Sequence, residues 1–308
     1  MKVRKLLYRI LILCILIGAV YSLWYHSVHI APHKFGIQQI SFSDTKIPQT
    51  FEDFKIGFIS DFDLKDSEDL DYLAACIEKL NAQSCDMVIF GGDLYETGKI
   101  FDEDRLTSLL KSIQAPYGKL AILGENEFLD NLDNSIQLLE NGGFEVMRNE
   151  AHPIYYKNSA IIFAGLETSG NVDSLLDNGQ KSSFVFCAVH QPDYFDEVSL
   201  SSASLQLSGH SGGGFIHIPF YGSITKLDGA TKYTHGHYEL DGCHLYISNG
   251  IGMGHDQTAR FNSNPNALVI TLHKAEVIEE PVKAAPEQEE NAPEQEENTD
   301  IENSTDSE

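Results

Sequence analysis

The sequence predicts an α/β fold built of βαβ units, and three observations predict it. Short apolar runs alternate with segments whose leucines and isoleucines recur at helical spacing, the pattern of βαβ units. Acidic, amide or imidazole side chains stand directly after several of those runs, where open α/β sheets bind their ligands. A chain of 308 residues with 42% hydrophobic content also has enough apolar material for one large core or two small ones.

In chain order, Lys2, Arg4, Lys5 and Arg9 precede Ile10–Trp24, a stretch without a charge. Leu6–Tyr8 extends the apolar stretch if Arg9 snorkels, so the segment reads as a membrane-crossing helix. Ala19-Val20-Tyr21-Ser22 makes a poor cleavage site, and Tyr21, Trp24 and Tyr25 suit a membrane interface, which favours an uncleaved anchor. Basic residues on its short N-terminal side place that end in the cytoplasm and the body on the extracytoplasmic face of the cytoplasmic membrane. Residues 1–30 are thus expected to be the anchor, 31–278 the globular domain and 279–308 a tail.

Ile37, Ile40 and Phe42 alternate with polar residues in an edge or connecting strand that Ile47-Pro48 closes. Lys55–Ser60 is the first core strand and runs into Asp61-Phe62-Asp63; Leu70, Leu73, Ala74, Ile77 and Leu80 then mark a helix. Asp86–Phe90 is a strand that breaks at Gly91-Gly92 before Asp93, and Leu106, Leu109, Leu110 and Ile113 form a second helical face. Lys119–Leu123 completes a βαβαβ series and ends at Gly124-Glu125-Asn126-Glu127. A third helix around Leu132, Ile136 and Leu139 stops at Gly142-Gly143. Beyond it Ala160–Leu166, Phe184–Val189, Leu205–Ser208, His244–Ser248 and Leu268–Leu272 read as short buried strands, two of which lead into His190 and His210.

After Val277 the pattern stops. Ala285–Asn291 is repeated as Ala292–Asn298, a low-complexity acidic segment that has no apolar face to bury and is expected to be disordered. The formal net charge of −25 disfavours a polyphosphate partner, so nucleic acid is not expected to bind. Cys14, Cys76, Cys85, Cys187 and Cys243 are odd in number and scattered, as buried thiols are and disulfide frameworks are not.

Asp61, Asp63, Asp93, Glu125, His190 and His210 therefore share one rim of the expected sheet. A mixture of carboxylate and imidazole suits zinc, manganese or iron, and the carboxylates alone suit magnesium. His235-Gly236-His237, His217 and His255 are weaker candidates: the first reads as a surface or loop-packing pair, and the other two as residues that could fold back towards Gly212. The glycine-rich Ser208–Gly214 lacks the lysine that a phosphate loop requires.

From about Ile37 to Leu272 the chain resembles the calcineurin-like metallophosphoesterases, in particular their membrane-associated bacterial branch. The family's blocks Asp-x-His, Gly-Asp, Gly-Asn-His-Asp/Glu, a lone His and Gly-His-x-His-Gly-Gly correspond to Asp61-Phe62-Asp63, Gly92-Asp93, Gly124-Glu125-Asn126-Glu127, His190 and Gly209-His210-Ser211-Gly212-Gly213-Gly214. Gly250–Gly254 and Arg260-Phe261-Asn262 look like that branch's closing segment.

The resemblance implies a layered β-sandwich flanked by helices, and a two-metal site in which Asp93 bridges the ions. Glu125, His190 and His210 would complete one position, while Asp61 and Asp63 would hold the other with no imidazole, since Gly212 stands where the family has a histidine. The family histidine that contacts the phosphoryl group or protonates the leaving group is Asn126. One tight ion and one weak ion are therefore expected. The implied activity is slow hydrolysis of a phosphomonoester or phosphodiester, carried by a small molecule or a lipid head group, in a protein held on the bilayer by its N-terminal helix. The alternative is an inactive relative that binds a phosphorylated ligand or a partner at the cell surface.

Overall fold

Leucine and isoleucine are the commonest residues of Lys2–Tyr25, and the first element is a 24-residue helix, α1. A π turn (His26–Ile30) and a 3₁₀ turn (Ala31–His33) continue it into the body. A computed structural model describes residues 2–96, 102–167, 172–176, 182–254 and 257–276; His255 and the expected acidic tail lie outside the described residues. Among these, α1 with its continuation is long and apolar enough to cross a membrane. Leu7, Ile10, Leu13 and Ile17 are exposed along it, so its apolar surface is not covered by the other described residues.

The body opens with β1 (Gly36–Asp44) and β2 (Lys55–Ile59). Helix α2 (Ser67–Asn81) starts at a reciprocal cap, in which Asp66 accepts the Glu68 and Asp69 N–H groups while the Asp69 carboxylate accepts the Asp66 N–H. Strand β3 (Met87–Phe90), helix α3 (Glu103–Ser112) and strand β4 (Lys119–Ala121) follow, then α4 (Glu125–Leu129), α5 (Leu132–Asn141) and β5 (Glu145–Val146). The second half contains β6 (Glu150–Tyr156), β7 (Ser159–Leu166), α6 (Val172–Leu176), β8 (Val185–Val189), α7 (Phe195–Val198) and β9 (Leu205–Ser208). A small hairpin of β10 (His217–Ile218) and β11 (Gly222–Ser223) precedes β12 (Gly236–Leu240), β13 (Cys243–Ile247) and β14 (Asn266–Lys274).

Two six-stranded sheets result, ordered β1-β14-β2-β3-β4-β5 and β12-β13-β9-β8-β7-β6. β2, β3, β4 and β5 run parallel, as do β7, β8, β9 and β13, so each sheet has one rim of carboxyl ends. The strand period of two sorts the side chains. Ile56, Phe58, Met87 and Ile89 meet Phe163, Phe186, Leu205 and Leu207 in the core between the sheets. Val88 and Phe90 face α2, α3 and α5, while Val185, Cys187 and Val189 face α6 and α7. The architecture is a four-layer α/β/β/α sandwich, as the resemblance implies, and its first half follows the βαβαβ order that the alternation of runs predicts. β1 is the edge strand expected of Phe35–Thr50 and pairs in parallel with β14. The sequence reading did not anticipate β6, the β10–β11 hairpin or β12, whose residues are mostly half-buried or exposed and carry little hydrophobic signal. All five cysteines are free, and Cys76, Cys85, Cys187 and Cys243 are buried.

Candidate metal centre

The rims of the two sheets converge. One ligand-capable atom from each of Asp93, His190 and His210 lies within 4.8 Å of the other two, and all three residues are buried. Asp93 follows β3, His190 follows β8 and His210 follows β9, so the sandwich itself brings together three residues far apart in sequence. Asp61 and Asp63, after β2, are buried beside them.

Hydrogen bonds decide which imidazole nitrogen faces the cluster. His190 Nδ1 lies 2.7 Å from the Gly91 carbonyl, to which it must donate, so Nε2 is the nitrogen turned to the carboxylates, 3.2 Å from Asp93 Oδ2 and 3.9 Å from Asp61 Oδ1. His210 Nε2 is likewise committed to the Asp228 carbonyl at 2.6 Å, leaving Nδ1 as its lone-pair nitrogen. A backbone carbonyl behind each ring is how proteins orient histidines towards a metal. Among the described residues, His190 Nε2 and Asp61 Oδ2 are buried with no hydrogen-bond partner. Unpartnered acceptors among three buried carboxylates are costly unless a cation joins them, so these residues fit a divalent ion.

The electrostatics agree. Burial pushes the Asp61 carboxyl up and the Asp63 carboxyl well above the carboxylate range, with the neighbouring acids adding to Asp63. Burial also works against a charged Asp93, but the neighbouring His190 charge outweighs it and holds Asp93 low. For His190, burial disfavours the imidazolium, yet Asp93 and Asp61 overcome it and raise the ring well above its usual value. The charges that favour a proton on His190 are those that would favour a metal, and the two compete.

The backbone here is held in conformations that L-residues rarely adopt: Asp61, Asp63, Asp93 and His210 all have φ between 46° and 65°. Glu127 supplies one restraint. Its buried carboxylate accepts N–H bonds from Asp93 (3.1 Å), Leu94 (2.6 Å) and Gly124 (2.6 Å) and so ties the β3 turn to the start of α4. Burial and the Asp93 charge outweigh those three donors and push the Glu127 carboxyl up to about 7. Gly92, at φ +96°, passes so close to the site that a Cβ there would lie 2.5 Å from the Gly124 nitrogen and 2.8 Å from His190 Nδ1.

Around Asp63 the centre is more confined. Asn126 donates its backbone N–H to Asp93 Oδ1 (3.0 Å) and its side-chain amide to Asp63 Oδ1 (3.4 Å). A cavity of about 20 Å³, room for one ion or water, lies among Asp61, Asp63, Asp93 and His210 and is walled by Phe215 and Arg260. Arg260 is buried, lies 5.0 Å from the Phe215 ring centre and donates to the carbonyls of Gly212 (3.1 Å), Ser263 (2.9 Å) and Gly252 (2.6 Å). Burial lowers its pKa to about 10, against the pull of Asp63 and Asp61. A Cβ on Gly212, at φ +57°, would meet the Phe215 ring at 2.3 Å. A histidine at position 212 would therefore not rebuild a ligand, because Phe215 occupies the space it needs. Gly212→His is expected to destabilise the protein by about 2–5 kcal/mol through backbone strain and overpacking, with no gain in rate. Thermal melts and steady-state rates would check this; an unchanged midpoint with faster turnover would contradict it.

Glu125 stands apart from the cluster of three. It is half-buried in the first turn of α4, and its carboxylate accepts a hydrogen bond from the Gln191 side chain. His217 does not take the place of a ligand at Gly212: its Nδ1 lies 3.1 Å from Ser223 Oγ and its ring packs against His235, 4.4 Å between centres. His237 belongs to β12, where Nε2 lies 3.0 Å from His244 Nδ1. Gln191 and Phe215 carried no sequence signal of a role; Glu127 closes the third family block and Arg260 opens the closing segment, but neither match says what the side chain does. Only a tertiary contact separates a buried glutamate or arginine from a surface one.

A calcineurin-like phosphoesterase family model matches residues 54–270. An uncharacterised metallophosphoesterase of Bacillus subtilis, YkuE, is 31% identical over 252 residues, covering 79% of this chain and 87% of that protein. An uncharacterised metallophosphoesterase of Aquifex aeolicus is 27% identical over 255 residues, covering 79% and 94%. The UDP-2,3-diacylglucosamine pyrophosphatase LpxG of Chlamydia muridarum is 27% identical over 116 residues, covering 37% of this chain and 34% of that protein.

Proposed function

The chain belongs to the calcineurin-like phosphoesterase family and is a metal-dependent phosphate-ester hydrolase, and from that premise we propose a membrane-anchored enzyme working outside the cytoplasm. In this reading residues 1–30 anchor residues 31–278 to the cytoplasmic membrane and 279–308 form a tail. Lys2, Arg4, Lys5 and Arg9 keep the N-terminus in the cytoplasm. Substrates are phosphomonoesters or phosphodiesters of a small molecule or a lipid head group; the diacylated substrate in the LpxG relative's name is in keeping with the second class.

The observation that carries the site assignment is the buried trio Asp93, His190 and His210 with His190 Nε2 unpartnered. These residues hold the tighter ion, Glu125 joins them by releasing Gln191, and Asp61 and Asp63 hold a weaker one, with manganese, zinc, iron or magnesium as candidates. The chemistry that bound divalent ions supply is neutralisation of phosphoryl charge and activation of water. The Gly91 and Asp228 carbonyls keep both imidazoles in the tautomer that faces the cluster. Asn126 can donate a hydrogen bond but cannot deliver a proton to a leaving group, so the contribution of a general acid, about 10²–10⁴-fold, is missing. Substrates with good leaving groups are therefore favoured, and turnover is slow. The family match gives no support to an inactive binding protein.

The full chain in detergent is expected to contain about one tightly held divalent ion. It should hydrolyse an aryl phosphodiester slowly, faster with added manganese and not at all after chelation. Metal analysis paired with that assay tests the reading. A chain without bound metal that stays inert in excess manganese would sink it.

A further inference from the structure

The hairpin that grows out of the metal centre ends in an apolar tip that no other described residue covers. Phe220 is fully exposed, Tyr221, Ile218 and Ile224 are exposed around it, and the hairpin has only two residues per strand. Four such groups on one small projection are the kind of surface that soluble monomers avoid. Both of its legs lead to the site. The incoming leg leaves Gly212–Gly214 and Phe215, and the outgoing leg returns through Leu227, which lines the cavity beside Asp61, to Asp228, whose carbonyl receives His210.

The hairpin is also joined to the base of the anchor. The Arg260 N–H donates to the Ser27 carbonyl at 2.9 Å, directly after α1. The next residue, Phe261, donates its N–H to the Phe215 carbonyl (2.8 Å) and accepts the His217 N–H (2.9 Å). Three backbone hydrogen bonds thus run from the end of the apolar helix to the first strand of the hairpin. Alongside them a cavity of about 230 Å³ reaches from Val28, Pro32 and His33 at the end of the anchor to Asp63 of the site.

We propose that the β10–β11 hairpin is a second membrane contact, its Phe220–Tyr221 tip seated in the interface of the bilayer that α1 crosses, so that the metal centre opens towards lipid head groups and takes a lipid-borne phosphate ester. The occupant of the tip is the lipid surface because the helix beside it already requires one. The contact is apolar rather than electrostatic: the chain carries a net charge of −25, which anionic lipid repels, so aromatic insertion has to carry the binding. Phenylalanine and tyrosine at a hairpin tip suit that depth, with the phenol staying at the wet side. The choice of a lipid substrate rests on the hydrolase reading above; the membrane contact does not.

The test uses the full chain reconstituted in phosphatidylcholine–phosphatidylglycerol vesicles. Trp24 is the only tryptophan, so Phe220→Trp on a Trp24→Phe background places a single reporter at the tip, and Tyr221→Trp repeats the measurement one residue on. The reporter is expected to lose roughly half its emission to lipids brominated on the acyl chains, to resist aqueous iodide, and to keep both properties at high salt. Free quenching by iodide with no effect of bromolipid overturns the contact. Protection from both quenchers that vanishes when protein is diluted in lipid identifies a second copy as the cover and overturns it equally. For the substrate, Phe220→Asp with Tyr221→Asp should lower the ratio of turnover on a vesicle-borne lipid phosphate to turnover on its short-chain soluble analogue by about tenfold. An unchanged ratio overturns lipid delivery. Absence of turnover on both substrates in the parent chain, with bromolipid quenching intact, overturns the hydrolase reading and leaves the membrane contact standing.

Discussion

The Asp93→Ala protein is expected to purify without its tight ion and to hydrolyse phosphate esters about 10³-fold more slowly than the parent chain, or worse, since losing the ion removes several kcal/mol of transition-state stabilisation. Asp93 is the carboxylate that completes the cluster with both histidines, and its Oδ2 faces His190 Nε2 at 3.2 Å. Because Asp93 sits at φ +60°, alanine also adds backbone strain. Asp93→Asn separates the two effects, as asparagine tolerates that conformation and keeps the volume but gives up the charge. It should keep the thermal midpoint of the metal-depleted parent while losing the ion. Affinity for the ion in the parent should strengthen as pH rises, because His190, raised well above its usual value by Asp93 and Asp61, must shed a proton to coordinate. Metal analysis, melts and rates on the two variants check this; Asp93→Asn with full metal and full rate would exclude the trio as the ligand set.

Glu127→Ala is expected to cost about 3–5 kcal/mol, because it removes the acceptor of three buried backbone N–H groups at once. In a domain of this size that lowers the midpoint by roughly 10 °C or more. The variant should also lose metal, although Glu127 is not placed among the ligands, since the turn carrying Asp93 loses its tie to α4. Glu127→Gln should fall between, because an amide can accept on one arm only. In the metal-depleted parent, a carboxyl raised from 4.5 to about 7 contributes stability that is fully present below the lower value and lost as pH rises through the higher one. Asp61, Asp63 and His190 are raised too and share that sign, so the metal-depleted chain should melt lower at pH 8 than at pH 5.5. Glu127→Gln should reduce the slope. A Glu127→Ala midpoint within about 2 °C of the parent would remove the restraint from the account.

Much of the fold was legible because its strands are buried on both faces and so appear as continuous apolar runs. Asp86–Phe90 and Phe184–Val189 are of this kind, and they became β3 and β8. β6 and β12 were not legible: their outer faces meet solvent, and Glu150–Tyr156 and Gly236–Leu240 mix charged, aromatic and small residues without clear alternation. The same holds for the β10–β11 hairpin, whose exposed Phe220 and Tyr221 would be read from sequence as core.

The apolar composition of the N-terminal helix, the βαβαβ order and the placement of Asp61, Asp63, Asp93, His190 and His210 at strand ends can be read from residue order alone. These follow from local periodicity and from what stands next to it. Which of those residues meet was left to the tertiary packing. Asp93, His190 and His210 converge because two sheets pack face to face, and no local pattern records that packing. It also decided that Glu125 turns to Gln191, that Glu127 fastens the Asp93 turn, and that Phe215 and Arg260 fill the space beside Gly212. Each depends on contacts between residues far apart in the chain, where distance and burial, not residue type, give a side chain its role.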